Sequence, residues 1–453
     1  MSAGTGTGVT QVFLASTLYG TATLAAALDA GCFPPAGRRI LLTSNHSATA
    51  EVAPGLDSAP GFAALRTRFD EVVDWNAVIA PQHPSTWAPR SDDVPLWERQ
   101  LRASWGLGSD RVELIVESLQ VPPAQSLCRL FAGAAVEVYA DGLMSYGPTR
   151  FRLDPQLGMR VRRVLHLDLV PGLEPLLLTE FGVRAEVIPA AAFLKVVAAL
   201  SELEAPLLPA PADGPPALLL GQYLSALDLM PAAEEEELHM AMVRGAHALG
   251  HRELVFKPHP SAPAAYARRA EEEAARLGVR LTVLDAPVLA ETLYERLRPA
   301  LVVGCFSTGL LTAATLYGLP VARTGTGAVL ARLDPYPNSN RIPLALADAL
   351  LPDLDDAAAV RSWTPPGPGS AAAEAAGLLT AVGFTMQPKI LAERRPEAER
   401  WLAGQLTPRT WRYFTRRRLT ALGLPGGIPA QLSFLPRSRT ARRVARLLRR
   451  AVS

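Results

Sequence analysis

The sequence predicts an α/β protein with two doubly wound, Rossmann-like domains that face each other across a cleft. Three features indicate this fold class. Short apolar runs alternate with helical patterns, which implies parallel strands joined by helical crossovers. A proline- and alanine-rich stretch at residues 201–216, SELEAPLLPAPADGPP, interrupts the alternation, which restarts after it. The chain has 453 residues, which is long enough for two domains with separate cores.

The first domain is predicted at residues 1–205. Strands are predicted where short aliphatic runs occur, and helices where apolar residues recur every three or four positions. The predicted strands are Val12–Ala15, Arg39–Thr43, Ala77–Ala80, Arg111–Glu117 and Ala135–Tyr139. The predicted helices are Leu18–Ala30, Phe62–Val72, Leu96–Trp105 and Pro123–Phe131, the last with proline near its start.

The second domain is predicted at residues 213–390 by the same reasoning. Its predicted strands are Ala217–Leu220, Glu253–Phe256, Arg280–Leu284, Ala300–Val303 and Pro320–Ala322. Its predicted helices are Glu235–Leu249, Ala264–Leu277, Leu289–Leu297 and Thr308–Tyr317. Ligands in open α/β sheets bind beyond the carboxyl ends of the strands, so polar residues at those ends are the candidate site residues.

The composition indicates the class of protein and the cellular compartment. Hydrophobic residues make up 49% of the chain and charged residues 19%, which is typical of a well-buried globular protein. The three cysteines lie far apart and form no metal-binding spacing, so we expect a reducing cytoplasm. No secretory signal and no apolar run long enough to cross a membrane are seen in the sequence.

The stretch LVFKPHPS at residues 254–261 ends a predicted strand on a lysine and a histidine. Pro258 and Pro260 restrict the backbone on both sides of His259, so the imidazole is expected to point away from the strand end, beside Lys257. An ammonium group next to an imidazole favours the binding of an anion. A solvent-facing turn at the end of an ordinary strand is the alternative.

A second candidate site opens the predicted helix at residues 308–317. Ser307 and Thr308 follow a strand and are typical helix caps, which need no ligand. Hydroxyls and free N–H groups at a helix start can also hold a phosphate, and Gly309 would permit close approach of the backbone.

The third candidate is Asp141, which follows the last clear strand of the first domain and precedes Gly142. Asp-Gly is also a common turn. Across the cleft from a phosphate site, however, a partly desolvated carboxylate can accept a proton from a hydroxyl.

Two lesser candidates remain. Glu291 is either a ribose contact or a solvated helix residue. Asn45 and His46 are either contacts of the acceptor sugar or incidental loop residues.

Taken together and in this order, these motifs resemble the bacterial sialyltransferases of GT-B fold, most closely the bacterial alpha-2,8-polysialyltransferase family. That family carries a motif of two acidic residues and a glycine, then a His-Pro motif, then a Ser/Thr motif. They stand here as 140–142 (ADG), 257–260 (KPHP) and 307–308 (ST), and the resemblance covers most of residues 10–385. The first acidic position is Ala140, which leaves the tuning of the base, or the acceptor type, open.

The resemblance implies an inverting, metal-independent transfer of a sialic acid, or another nonulosonic acid, from a CMP-activated donor to a glycan acceptor in surface polysaccharide synthesis. No cofactor is implied. Asp141 would be the general base and His259 would donate a proton or hydrogen bond to the leaving phosphate. Ser307, Thr308 and the helix dipole would hold that phosphate. Lys257 would add positive charge and Glu291 would contact the ribose.

Two alternatives stay open. One is a related GT-B transferase that uses CDP-glycerol or CMP-Kdo to build a surface polymer. The other is a GT-B scaffold without catalytic activity that binds an anionic glycan, and Ala140 is the feature that favours it.

The end of the chain is strongly basic. Residues 401–453 contain 12 arginines and no acidic residue, and Ala441, Val444, Leu447, Leu448 and Ala451 have helical spacing. We therefore predict a basic helical tail at residues 391–453 that contacts an anionic surface on the inner face of the cell membrane. A solvated basic tail, or a site for the acidic polymer itself, is the alternative. No nucleic-acid-binding module accompanies the charge, so no nucleic-acid partner is expected.

Overall fold

A computed structural model of the chain contains two sheets, and every strand pairing in them is parallel. It describes residues 8–47, 54–140, 142–209, 214–259, 262–365 and 369–428. The first sheet contains β1 Val9–Ala15, β2 Arg38–Thr43, β3 Glu71–Asp74, β4 Arg111–Val116, β5 Ala135–Ala140, β6 Val161–His166 and β7 Arg184–Val187. The second contains β8 Ala217–Leu220, β9 Glu253–Lys257, β10 Arg280–Val283, β11 Leu301–Gly304 and β12 Val321–Arg323.

Each sheet reverses its strand order once, next to its first strand. The first sheet has the order β3-β2-β1-β4-β5-β6-β7 and the second has β10-β9-β8-β11-β12. The reversals lie between β1 and β4 and between β8 and β11, where diverging crossovers leave a crevice at the carboxyl ends. The predicted α/β class with two doubly wound parallel sheets is confirmed.

Helices connect the strands and cover the sheets. They are α1 Leu18–Asp29, α2 Phe62–Leu65, α3 Trp75–Ile79, α4 Val94–Ser104, α5 Ala124–Leu130, α6 Pro155–Gly158, α7 Ala190–Leu203, α8 Ala232–Ala248, α9 Ala264–Leu277, α10 Ala290–Leu297, α11 Thr308–Tyr317, α12 Thr326–Arg332, α13 Arg341–Leu350, α14 Ala357–Ser362, α15 Ser370–Met386, α16 Arg395–Gln405 and α17 Arg416–Leu422. A short 3-10 helix spans Leu143–Tyr146 directly after β5.

Both faces of the central strands are buried, as expected for parallel sheets wound on both sides. All four residues of β8, with the sequence ALLL, are buried. One face of the first sheet packs into an apolar cluster around Trp75 and Trp105. The opposite face shares a continuous apolar cluster with the second sheet. The two sheets are therefore joined through a common core.

Several polar contacts between described residues tie the two halves of the chain together. Ser201 of α7 donates from its hydroxyl to the carbonyl of Thr292 in α10, at 3.2 Å. Thr315 of α11 donates to the carbonyl of Leu169, at 2.8 Å. After α15, the amide of Gln387 donates to the carbonyl of Arg150, at 2.7 Å. The chain thus returns from the second sheet to contact the first.

Two predicted elements of the first domain were wrong. The expected helix Phe62–Val72 ends at Leu65, and Glu71–Asp74 forms strand β3 instead. Its two central valines pair with Leu41 and Leu42 of β2, and β-branched residues fit that pleated surface. The expected strand Ala77–Ala80 is mostly helix α3, because Asp74 caps that helix by accepting the N–H of Asn76 at 2.9 Å.

The predicted basic tail is described only in part. Helices α16 and α17 lie within the described residues, and Tyr413 between them donates from its hydroxyl to Asp348 of the second domain at 2.8 Å. The predicted amphipathic segment at 441–451 lies outside the described residues. Within the described part of the chain, no helix is long and apolar enough to cross a membrane.

Candidate active site

The second-domain part of the site begins at the carboxyl end of β9, whose last residue is Lys257. The strand pairs with β8 on one side and β10 on the other, so the lysine is enclosed and only 8% exposed. Its Nζ donates a hydrogen bond to the carbonyl of Ala286, at 3.2 Å. Burial lowers the pKa of Lys257, and the carboxylates of Glu291 and Glu204 oppose that effect.

Two buried carboxyl groups accompany this lysine. Glu291 lies in the first turn of α10 and is 3% exposed, and Glu204 follows α7 and is 1% exposed. Burial raises the pKa of each to about 7, while Lys257 acts in the opposite direction. Glu291 is therefore enclosed in the protein. Its role as a ribose contact stays a prediction, since reaching a ligand would require the side chain to leave this position.

His259 follows β9 by two residues and remains accessible to solvent. Its ring centroid is 6.4 Å from that of Tyr223, which in turn makes an edge contact with Tyr266 at 6.3 Å. Desolvation by the surrounding residues lowers the pKa of His259, and the ammonium of Lys257 lowers it further. The imidazole is therefore neutral near pH 7 and has one N–H to donate.

The predicted helix cap at Ser307 is present. Its Oγ accepts the N–H of Gly309 at 3.2 Å, which fixes the start of the ten-residue helix α11. Packing also explains why residue 309 is a glycine. An added Cβ would lie 2.7 Å from the Tyr294 hydroxyl oxygen, and that hydroxyl donates to the Gly309 carbonyl at 3.0 Å. The glycine is therefore explained without a ligand, whereas the hydroxyls of Ser307 and Thr308 remain at the carboxyl edge of the sheet.

The first-domain motif meets this helix start directly. Gly142, just beyond β5, approaches Thr308 so closely that an added Cβ would lie 2.7 Å from Thr308 Oγ1. The next residue, Leu143, directs its N–H to the same oxygen at 3.4 Å. Asp141 itself lies outside the described residues, while Ala140 before it is buried at the end of β5. Two motifs about 165 residues apart in sequence are thus brought into contact.

Asn45 and His46 are not brought to this contact. They follow β2, which is separated from β5 by β1 and β4 in the first sheet. At about 4.8 Å per strand, three spacings put β2 roughly 14 Å from β5. Desolvation lowers the pKa of His46, and nearby His83 lowers it further. The two residues line a different part of the same sheet edge.

Sequence analysis did not identify two polar residues that lie near the strand reversals. Glu117 follows β4, and its Oε2 accepts the N–H of Ser16 at 3.0 Å and the hydroxyl of Tyr139 at 3.4 Å. Gln222 follows β8, and its Oε1 accepts the N–H of Phe306 at 3.0 Å. Both hold strand-end loops beside the site. A polar residue directly after a buried strand at a reversal is the signal that could have indicated them.

Among the described residues, no group of three or more histidines, cysteines or carboxylates is arranged to hold a metal ion. Asp353 forms an ion pair with Arg323, the last residue of β12, at 2.7 Å.

Comparisons with known proteins point to one family. A family model described as alpha-2,8-polysialyltransferase matches residues 11–326, which is more than half of the chain. No curated protein sequence matches the chain.

Solved structures with a similar arrangement share little sequence with the chain. A sialyltransferase from Photobacterium damselae, represented by its GT-B domain, is 11% identical, with 74% of this chain and 95% of that chain covered and a TM-score of 0.39. A glycosyltransferase from Rickettsia africae is 12% identical, with 86% and 93% covered and a TM-score of 0.37.

Proposed function

The chain belongs to the alpha-2,8-polysialyltransferase family and is a sialyltransferase-like glycosyltransferase, and from this we propose the following reaction. A sialic acid, or another nonulosonic acid, passes from a CMP-activated donor to a hydroxyl of a glycan acceptor, with inversion at the anomeric carbon and without a metal ion. The contact of Gly142 and Leu143 with Thr308 is the observation that carries this proposal. It supports a single reaction centre between the two sheets.

On the acceptor side, Asp141 is the proposed general base. It takes the proton of the attacking hydroxyl, whose oxygen forms the new bond to the anomeric carbon. The buried end of β5 at Ala140 and the close approach of Gly142 to Thr308 support this role, because the chain on both sides of Asp141 belongs to the same motif. Ala140 at the other acidic position removes one neighbouring negative charge, which would otherwise raise the pKa of the base.

On the donor side, the bond between the anomeric carbon and the CMP phosphate breaks, and its electron pair goes to the phosphate oxygen. The hydroxyls of Ser307 and Thr308 at the start of α11 suit that oxygen, and the dipole of the ten-residue helix adds positive potential. Ser307 and Thr308 are the proposed phosphate contacts.

His259 is the proposed hydrogen-bond donor to the leaving phosphate. Its lowered pKa makes the neutral imidazole the resting form. A bound phosphate brings negative charge, which raises the pKa again and favours proton donation as the phosphate leaves. Lys257 is the proposed source of positive potential behind this contact, since its ammonium is buried beside the end of β9.

The first test separates chemistry from binding. Asp141→Ala should reduce transfer from CMP-sialic acid by roughly 100- to 10,000-fold, which is the contribution of a positioned base, while CMP still binds. Asp92→Ala, at an exposed acidic residue of the same domain, is the matched control and should leave both unchanged. Wild-type turnover in the Asp141 variant would refute the assignment.

The second test addresses the donor. Calorimetry with CMP, CDP and UMP should show binding of CMP, and the affinity should fall in His259→Ala. Equal binding of UMP, or no effect of the histidine, would contradict the proposed cytidine donor and the role of this residue.

A further inference from the structure

A small polar cavity of about 220 Å³ opens at the carboxyl ends of β2 and β3. Ser44, Asn45 and Asn76 line it together with two carboxylates, Asp57 and Asp74. The carboxylates are exposed at its mouth, and Ser44 is enclosed at 1% exposure. The cavity thus has a hydroxyl inside and negative charge at its entrance.

The wall of the cavity is fixed before any ligand arrives. Asn76 accepts the N–H of Asn45 through its side-chain oxygen and donates its amide to the Asn45 carbonyl, both at 2.9 Å. Asp74 in turn accepts the backbone N–H of Asn76 at 2.9 Å. These three residues hold the two strand ends together and fix the orientation of the amide and one carboxylate.

Ser44 differs from these three residues. Its hydroxyl is buried and has no hydrogen-bond partner among the described residues. A buried hydroxyl without a partner carries a desolvation cost, which a ligand or water in the cavity would remove. This observation, independent of the acidic residues, indicates that the cavity is built to be filled by a polar molecule.

We propose that this cavity is an acceptor subsite that takes one uncharged sugar ring, an inference that rests on the proposed glycosyltransferase function. Its volume is below the roughly 300–1,000 Å³ of sites for drug-sized ligands, so it suits one ring and not several. Hydroxyls of a sugar donate to carboxylates and amide oxygens, and can pair with Ser44. Among the described residues, no lysine or arginine lines the cavity, so the carboxylate of a sialic or uronic acid would meet only like charge there.

The position of the cavity makes this a remote subsite. The strand order puts β2 three spacings from β5, or roughly 14 Å from the proposed transfer point. A ring bound here therefore cannot be the ring that receives the transferred sugar. The acceptor is an oligosaccharide whose reacting end lies at Gly142 and whose neutral internal ring lies in the cavity.

The test uses saturation-transfer NMR on the full chain with four probes: methyl galactoside and methyl glucoside as neutral rings, and glucuronic acid and N-acetylneuraminic acid as anionic rings. Neutral rings should bind and anionic rings should not. Ser44→Ala should weaken neutral binding by roughly 2- to 13-fold, the value of one hydrogen bond. Asp57→Asn changes the charge but not the shape of an exposed side chain. This variant should bind glucuronic acid.

The proposal is overturned if no neutral ring binds, if anionic rings bind equally well in the wild type, or if both variants leave binding unchanged. Failure of the subsite is distinguishable from failure of the proposed function, because CMP binding and hydrolysis of CMP-sialic acid are measured on the same samples without acceptor. In transfer assays, Asp57→Asn should change KM for long neutral acceptors and leave kcat unchanged.

Discussion

Replacing Ser307 by aspartate tests where the donor phosphate binds, because the substitution moves stability and binding in opposite directions. Ser307 caps α11 by accepting the N–H of Gly309 at 3.2 Å. Aspartate is an equally good cap, and its negative charge is favourable at a helix start by about 0.3–1 kcal/mol. The variant should therefore be as stable as the wild type, or slightly more stable.

The same carboxylate should oppose a phosphate held by this helix start. Two unit charges about 4 Å apart repel by about 4 kcal/mol at an effective dielectric of about 20. Partial screening at this half-buried position reduces the effect, so we expect a loss of about 2–4 kcal/mol in CMP affinity, or roughly 30- to 1,000-fold.

The assay combines thermal unfolding without ligand and calorimetry with CMP. Ser307→Ala is the control for the cap. It should lose about 1 kcal/mol of stability and only the hydrogen-bonding part of the affinity. If Ser307→Asp bound CMP within threefold of the wild type, the phosphate would not bind at the start of α11, and the proposed roles of Ser307 and Thr308 would be wrong.

Three further predictions concern stability. Burial raises the pKa of Glu291 from 4.5 to about 7, so the free energy of unfolding of the wild type falls as pH rises through that window. Glu291→Gln should remove this fall, which is on the order of 3 kcal/mol. Lys257→Met should extend the loss to higher pH, because the ammonium lowers the pKa of Glu291. Gly377→Ala should lower the stability by about 1–3 kcal/mol, since its Cβ would lie 2.3 Å from Cδ1 of Trp401. Gly404→Ala is the control: its Cβ would have nothing within 4 Å, so it should raise the stability by about 1 kcal/mol.

Chemical denaturation between pH 5 and pH 8 measures the first two predictions, and denaturation at one pH measures the third. An unchanged pH profile in Glu291→Gln would mean that another group causes the loss. A profile shifted to lower pH in Lys257→Met would contradict the sign of the lysine effect. Equal effects of the two glycine substitutions would contradict the packing of α15 against Trp401.

Elements defined by local signals were predicted well. Helix α9 was predicted with its observed bounds, Ala264–Leu277, and so was α11, Thr308–Tyr317. Each follows a proline or a capping hydroxyl and has a glycine just after its end, and both signals act within a few residues. The alternation of these helices with aliphatic runs was enough to predict the parallel sheets.

Elements that depend on a distant partner were predicted poorly. The segment Glu71–Asp74 becomes a strand because it pairs with β2, whose partner residues lie 31 positions earlier in the chain. Strands β6 and β7 were missed because β6 carries two arginines, and Arg163 among them is paired with Glu137 and Glu186 on neighbouring strands. A single sequence does not show that such charges are paired, so these strands look like polar loops.

For the candidate site, the residue types at the strand ends could be predicted from the sequence: Asp141, Lys257, His259 and the hydroxyls at 307–308. Which of these groups come into contact depends on the tertiary structure. It brings Gly142 against Thr308, encloses Glu291 beside Lys257, and leaves Asn45 at a separate cavity. The reason is physical. A strand end is set by residues that are neighbours in the chain, whereas contacts and burial depend on how two sheets pack across more than a hundred residues of sequence.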